Sequence, residues 1–169
     1  MIFVTIGSMF PFDRLIRVMD AWAHENAAPV NAAPGAEPPA ILAQIGNGAY
    51  EPAHMPWTRR LDQAAFAETV RAARLVVAHA GMGSVITAGQ LGRPIVLLPR
   101  RREWGEHTTD HQIATADWLR GKPGVFVADE DADLGPRIAE ALAAGRGQPV
   151  LPAHAPAAFI ARIRQCLLS

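Results

Sequence analysis

The stretch RRREWGEHTTDHQ, residues 100–112, concentrates side chains that ligate metals, transfer protons and bind sugars. If its second half were helical, His107 and His111 would stand four residues apart and Asp110 would join their face. That spacing is a workable three-ligand zinc geometry. Which chemistry the stretch supports therefore depends on where the helix begins.

A capping pattern favours a start that breaks the zinc geometry. Thr109 is followed three residues later by Gln112, just ahead of an apolar helical repeat, so we expect the helix to begin at Thr109. His107 then lies in the preceding loop, and no metal is expected. Polar groups around a helix N-terminus suit either a solvated loop or a ligand with hydroxyls and phosphates, such as a nucleotide sugar.

A glycine turn, HAGMGS at residues 79–84, is the second candidate site. Glycines allow a sharp turn and a close approach to a ligand, and the first amides of a helix are unpaired. With a helix starting at Ser84, the turn predicts an anion site. A tight turn without a ligand and a core role for His79 are the alternatives. The turn lacks the third glycine of the dinucleotide fingerprint, the Gly-Lys pair of the P-loop and the serine position of the nucleophile elbow, so these three motifs are excluded.

Five continuously apolar runs predict the strands that position these sites. They are residues 2–6, 41–46, 74–81, 94–99 and 124–129. Helical repeats alternate with them, so we expect an α/β fold with a doubly wound, mostly parallel sheet. Ligands collect beyond the carboxyl ends of such strands, where Gly7, Ser8, the glycine turn, Arg100 and the opening stretch should converge.

Composition restricts the remaining possibilities. The 169 residues suffice for one domain, and 16 basic residues balance 16 acidic ones, which argues against a nucleic-acid partner. Cys166 is the only cysteine and reads as a helix-face residue, which favours the cytoplasm. No apolar run is long enough to span a bilayer. The Pro/Ala-rich segment 27–40 is expected to be a flexible loop.

The motifs together resemble a known family. HAGMGSVITAGQLGRPIVLLPR followed by GEHTTDHQ is similar to the donor-binding C-terminal domain of glycosyltransferase family 28, and the likeness extends over roughly residues 1–130. The likeness is strongest to stand-alone subunits of bacterial exopolysaccharide glycosyltransferases. The family also includes the small subunit of the dolichol-linked N-acetylglucosaminyltransferase. The resemblance implies a Rossmann-like half of a GT-B enzyme that binds a UDP-sugar and needs no metal or other cofactor. The whole chain, 1–169, would be one nucleotide-sugar-binding domain.

The resemblance also implies roles for individual residues. The phosphate-binding turn falls on Gly81, Met82, Gly83 and Ser84, and the first loop on Gly7 and Ser8. The donor-sugar glutamine falls on Gln112, beside His111; one side chain can hardly both cap the helix and bind sugar, and we favour the sugar contact when donor is bound. Thr87 stands where many members carry a ribose-binding glutamate, which leaves ribose recognition weak or passes it to Glu106. We expect Arg100 to place a second charge on phosphates.

The expected function is that of a donor-binding, catalytic subunit of a UDP-sugar-dependent hexosyltransferase. Its acceptor would be a lipid-pyrophosphate-linked sugar in exopolysaccharide or cell-surface glycan synthesis. A non-catalytic nucleotide-sugar-binding module or regulator is the alternative, and a metal-dependent hydrolase is a third. His107 and Glu106 are available as the catalytic base, although the resemblance implies that the base belongs to the other half of the enzyme.

A second chain is expected to complete the enzyme. The strand-end crevice of a single α/β domain should lie open, with Met9, Phe10, Met82 and Trp104 at its face. A membrane-anchored, acceptor-binding subunit would cover that face and hold the chain at the inner side of the membrane. Local packing of these side chains, or a homodimer, is the alternative.

Overall fold

A computed structural model describes residues 1–27, 40–147 and 155–168, so that nearly all of the predicted loop 27–40 lies outside the described residues. Its centre is a six-stranded parallel sheet. The strands are β1 (Ile2–Thr5), β2 (Ile41–Gln44), β3 (Trp57–Thr58), β4 (Leu75–Ala78), β5 (Ile95–Leu97) and β6 (Val125–Val127). Their order across the sheet is β3-β2-β1-β4-β5-β6, and every neighbouring pair is parallel. The predicted α/β class and doubly wound sheet are confirmed.

Helices cover both faces of the sheet. They are α1 (Asp13–Asn26), α2 (Gln63–Ala72), α3 (Met82–Gln90), α4 (His111–Leu119), α5 (Leu134–Ala144) and α6 (Ala157–Leu168). One apolar core joins α1 and α5 to side chains such as Val4 and Val77, and the other joins α2, α3 and α4 to Phe3 and Val76. Successive strand residues thus point to opposite cores, which explains why the strands are apolar without alternation.

The strand order reverses between β1 and β4. From β1 the chain winds outward through β2 to β3, then returns to β4 and winds the other way. A reversal of this kind leaves a crevice at the carboxyl ends of the two central strands. Gly7 and Ser8 follow β1 there, and His79 to Ser84 follow β4.

Four details differ from the sequence predictions. The two-residue edge strand β3 was missed because it is too short to carry a periodic pattern. Helix α3 begins at Met82 rather than Ser84, and α4 begins at His111 rather than Thr109. The predicted capping box is absent: Asp110 is the N-cap without a side-chain capping bond, and the Gln112 side-chain oxygen instead accepts the Arg100 amide at 3.2 Å.

Helix α6 lies apart from both cores. All of its 12 residues are exposed, including Cys166, which lies on this helix as predicted. Phe159, Ile163 and Leu167 recur at helical spacing and are 56%, 46% and 78% exposed. None of the helices in the described ranges is long and apolar enough to cross a membrane.

Candidate functional site

His79 occupies the crevice between the two glycine loops. A Cβ atom built on Gly7 would lie 2.8 Å from the His79 ring, and one built on Gly81 would lie 2.1 Å from it. Gly7 also has a φ of +75°, a conformation that residues with a side chain rarely adopt. Both glycines are therefore required by the imidazole, which fills the space that a side chain would need.

The His79 ring is neutral at physiological pH. Burial, together with the nearby Arg100 charge, lowers the pKa of His79 to about 4, and the Thr5 backbone opposes this shift only in part. Its Nδ1 atom is buried and has no hydrogen-bond partner within the described part of the chain. A neutral imidazole thus separates the two glycine loops, directly before the start of α3.

The start of α3 leaves backbone donors without partners. The amides of Met82, Gly83 and Ser84 meet no acceptor in residues 1–27, 40–147 or 155–168, and the first helical bond runs from the Val85 amide to the Gly81 carbonyl. A Cβ on Gly83 would meet nothing within 4 Å. Three unpaired amides at a positive helix end, next to open space, form a binding surface for an anion.

Thr87, one turn into α3, is engaged locally. Its hydroxyl donates to the Gly83 carbonyl at 2.9 Å, so the hydroxyl proton is used within the helix. The Thr87 oxygen remains able to accept a hydrogen bond but has no proton left to donate.

The loop after β1 is fixed by polar residues that the sequence analysis missed. The Thr5 hydroxyl donates to the Gln44 side-chain oxygen at 2.5 Å, and the Gln44 amide group donates to the Gly7 carbonyl at 3.2 Å. Gln44 is 5% exposed. A polar residue that closes an otherwise apolar strand was the signal that could have identified Gln44.

Arg100 supports the same loop from the end of β5. Its guanidinium Nη2 donates to the carbonyls of Ile6 and Phe10, both at 2.7 Å, and the residue is 3% exposed. Burial lowers the pKa of Arg100 to about 10. The guanidinium thus holds the first loop in place, and a contact with ligand phosphates stays a prediction.

Glu106 is bound by an arginine that the sequence did not single out. Arg14, in the first turn of α1, holds both carboxylate oxygens of Glu106, from Nε at 2.7 Å and from Nη2 at 2.9 Å. It also donates to Asp131 at 2.6 Å and to the Pro99 carbonyl at 2.9 Å. The Arg14 and Glu106 side chains are only 13% and 10% exposed. In this conformation Glu106 anchors its loop to α1.

His107 and His111 lie together at the start of α4. Their ring centroids are 4.5 Å apart, and the His107 ring also lies 4.8 Å from the Phe10 ring. The Asp110 carboxylate, by contrast, accepts the Arg102 amide at 2.9 Å. In the part of the chain that the structure describes, no three His, Cys, Asp or Glu side chains are grouped so that they could hold a metal ion.

The predicted residues therefore converge at the carboxyl ends of the central strands. Phe10 links the first loop to His107, and both Arg100 and His107 lie close enough to His79 to lower its pKa. Of the apolar side chains expected at the open face, Met9, Met82 and Trp104 are exposed, whereas Phe10 is partly buried against His107.

A separate cavity of about 510 Å³ lies at the opposite end of the strands, around the start of β5 and β6. Its walls include Pro94, Ile95, Trp118 and Gly124. They are mainly apolar and carry none of the predicted site residues. Because a specific polar ligand requires convergent polar groups, the crevice beside His79 is the better candidate site.

Comparison with known proteins identifies the family of the chain. The family model of the glycosyltransferase family 28 C-terminal domain matches residues 1–143. No curated protein sequence matches the chain. Similar solved structures include the glycotransferase of kitacinnamycin (19% identity, TM-score 0.56), the calicheamicin glycosyltransferase CalG4 (20%, 0.57) and the spinosyn forosaminyltransferase SpnP (16%, 0.53).

These matches cover 83%, 84% and 99% of the chain, which in turn spans 34%, 33% and 44% of those structures. The structural similarity shows a shared fold, of which this chain is less than half. Since the family model covers most of the sequence, the chain belongs to glycosyltransferase family 28, with the fold of its nucleotide-sugar-binding C-terminal domain.

Proposed function

We propose that this chain is the donor-binding subunit of a UDP-sugar-dependent glycosyltransferase, which transfers a hexose to a lipid-pyrophosphate-linked acceptor in exopolysaccharide or cell-surface glycan synthesis. The observation that carries the proposal is the set of unpaired amides of Met82, Gly83 and Ser84 beside the neutral His79. A diphosphate satisfies several backbone donors at once and is stabilised by the helix dipole, so no metal is needed to hold it.

The sugar of the donor is assigned to Gln112 and His111. The Gln112 side-chain oxygen is occupied by the Arg100 amide, which orients the side chain and leaves its NH₂ group as the donor to a sugar hydroxyl. This supports the predicted sugar contact, because the side chain is not used to cap α4.

Recognition of the ribose is expected to be weak. The Thr87 hydroxyl has used its proton within the helix, so it can only accept a hydrogen bond from the ribose. The Glu106 carboxylate is held by Arg14 and is not free to accept both hydroxyls of the ribose diol. Loss of the ribose 2′-hydroxyl from the nucleotide should therefore reduce affinity by no more than one ordinary hydrogen bond, about 1 kcal/mol.

We place the acceptor site and the membrane anchor on a second chain. The relatives of known structure are more than twice as long as the region they share with this chain. Met9, Met82 and Trp104 are exposed around the crevice, and α6 presents an apolar face bordered by Arg162 and Arg164. These surfaces suit a protein partner that would hold the chain, a cytoplasmic protein, at the inner face of the membrane. Neither nucleic acid nor a cofactor is part of the proposal.

Calorimetric titration with UDP and UDP-sugars tests the donor site. We expect binding that is unchanged by a metal chelator and that is weakened at least tenfold by Gly83→Val, because the valine side chain would fill the open space beside the amides. Gly83→Ala is the matched control for helix formation and should weaken binding less. Equal UDP affinity in the folded Gly83→Val protein would exclude this site.

Transfer assays test the enzymatic part of the proposal. The isolated chain should turn over a lipid-linked acceptor poorly, and co-expression with a membrane-anchored acceptor-binding chain should restore activity. Full turnover by the isolated chain would contradict the need for a partner. Donor binding without transfer in any such pairing would favour the non-catalytic module. That alternative is supported by Glu106, a candidate base, because its carboxylate is already bound by Arg14.

A further inference from the structure

The Thr109 backbone amide determines the tautomer of His107. That amide donates a hydrogen bond to the Nδ1 atom of His107, with a separation of 3.3 Å. A backbone N–H can only donate, so Nδ1 must present its lone pair. In a neutral imidazole the single ring proton then resides on Nε2.

The ring is also held in place, and its surroundings disfavour a positive charge. Phe10 and His111 flank it with centroid distances of 4.8 and 4.5 Å, and burial, together with the neighbouring His111 and Arg100 side chains, lowers the pKa of His107. In the described ranges the His107 Nε2 atom has no hydrogen-bond partner, whereas Nδ1 has two, the Thr109 amide and, at 3.4 Å, the Thr108 hydroxyl.

We infer that His107 is a neutral hydrogen-bond donor, through Nε2–H, to an oxygen of the bound donor diphosphate, and that it is not the catalytic base. A general base must offer a free lone pair to the acceptor hydroxyl, and the only lone pair of this tautomer is already used. This inference rests on the proposed function for the identity of the ligand. It assigns His107 to the same anion site as the amides at the start of α3.

Two substitutions separate the donor from the base. The His107→Gln side chain can place an amide NH₂ near the position of Nε2, so it keeps a donor although it cannot act as a base. The His107→Asn side chain can accept the Thr109 amide at the position of Nδ1 but does not reach as far as Nε2. We expect UDP affinity within about threefold of the original protein for His107→Gln, and a loss of about tenfold or more for His107→Asn, the cost of a hydrogen bond to a charged group.

Nitrogen NMR of the full chain reads the tautomer directly. The His107 ring should show a protonated Nε2 and an unprotonated Nδ1 at pH 7, with the Nε2 signal shifting on addition of UDP. A protonated Nδ1, or equal UDP affinity of the Asn and original proteins, would overturn the assignment of His107 while leaving the donor site intact. Failure of the original protein to bind UDP would instead overturn the proposed function, and the ligand assigned to His107 with it.

Discussion

The Arg14–Glu106 pair is expected to be worth far more than a surface ion pair. Both side chains are about nine-tenths buried, two parallel hydrogen bonds join them, and Arg14 also holds Asp131 and the Pro99 carbonyl. Removal of one member of a fully buried pair costs about 3–5 kcal/mol, since the other charge remains buried without its partner. Because the two side chains retain some exposure, we expect Arg14→Ala to lower the free energy of unfolding by about 3 kcal/mol.

The carboxylate is tested by an isosteric change. Glu106→Gln keeps one acceptor oxygen and removes the charge, so the expected loss is about 2 kcal/mol. The double variant should lose less than the sum of the two, with a coupling energy of about 1–2 kcal/mol, because the same interaction is removed in both single variants. Urea unfolding at pH 7, followed by circular dichroism, measures all three.

The control for this cycle is Arg71→Ala. Arg71 pairs with Glu68 one helical turn away, and the two side chains are 51% and 72% exposed, so its loss should cost no more than about 0.5 kcal/mol. If Arg14→Ala were as mild as Arg71→Ala, Glu106 would not be anchored by Arg14, and it would again be a candidate for ribose recognition or for the catalytic base.

Three further predictions concern the crevice and the loop below it. Gly81→Ala should destabilise the fold and lower UDP affinity, because the new Cβ would collide with the His79 ring, whereas Gly83→Ala should leave the free energy of unfolding nearly unchanged. The folded pKa of His79 lies below its unfolded value of 6.5, so its contribution to stability is complete above pH 6.5 and is lost as the pH falls towards 4. The loss should reach up to about 3 kcal/mol, and a His79→Gln protein should lack this slope in unfolding free energy between pH 6.5 and 4. Asp20 is buried, which alone would raise its pKa, but hydrogen bonds from the Tyr50 hydroxyl and the amides of Ala53 and His54 lower it. The contribution of Asp20 to stability is therefore lost only below about pH 4. Asp20→Asn should lower the free energy of unfolding by about 2 kcal/mol at pH 7 and by progressively less in acid.

The parts of the fold that sequence could predict are those set by local patterns. Continuous apolar runs predicted five strands because strands buried on both faces need no alternation, and the glycine turn marked a candidate site because His79 follows β4 directly. The edge strand β3 is two residues long and stabilised by pairing with β2, so no local pattern marks it.

The misses share a long-range cause. Gln112 matches a local capping pattern, yet its side chain is bound by the amide of Arg100, which belongs to a different element. Arg14 reads as an ordinary helix residue, and its partner Glu106 lies 92 residues further along the chain. Sequence spacing placed Glu106 and His107 at the site but could not show that one is bound by an arginine and the other by a backbone amide.

The most direct measurement of the central claim is an amide NMR titration of the chain with UDP. If the start of α3 binds the diphosphate, the amide signals of Met82, Gly83 and Ser84 should shift most, together with that of Gly7, in the presence of chelator. The signal of Trp118, at the separate cavity, should stay in place. Shifts centred on Trp118 with an unchanged α3 start, or no shifts at saturating UDP, would contradict the account.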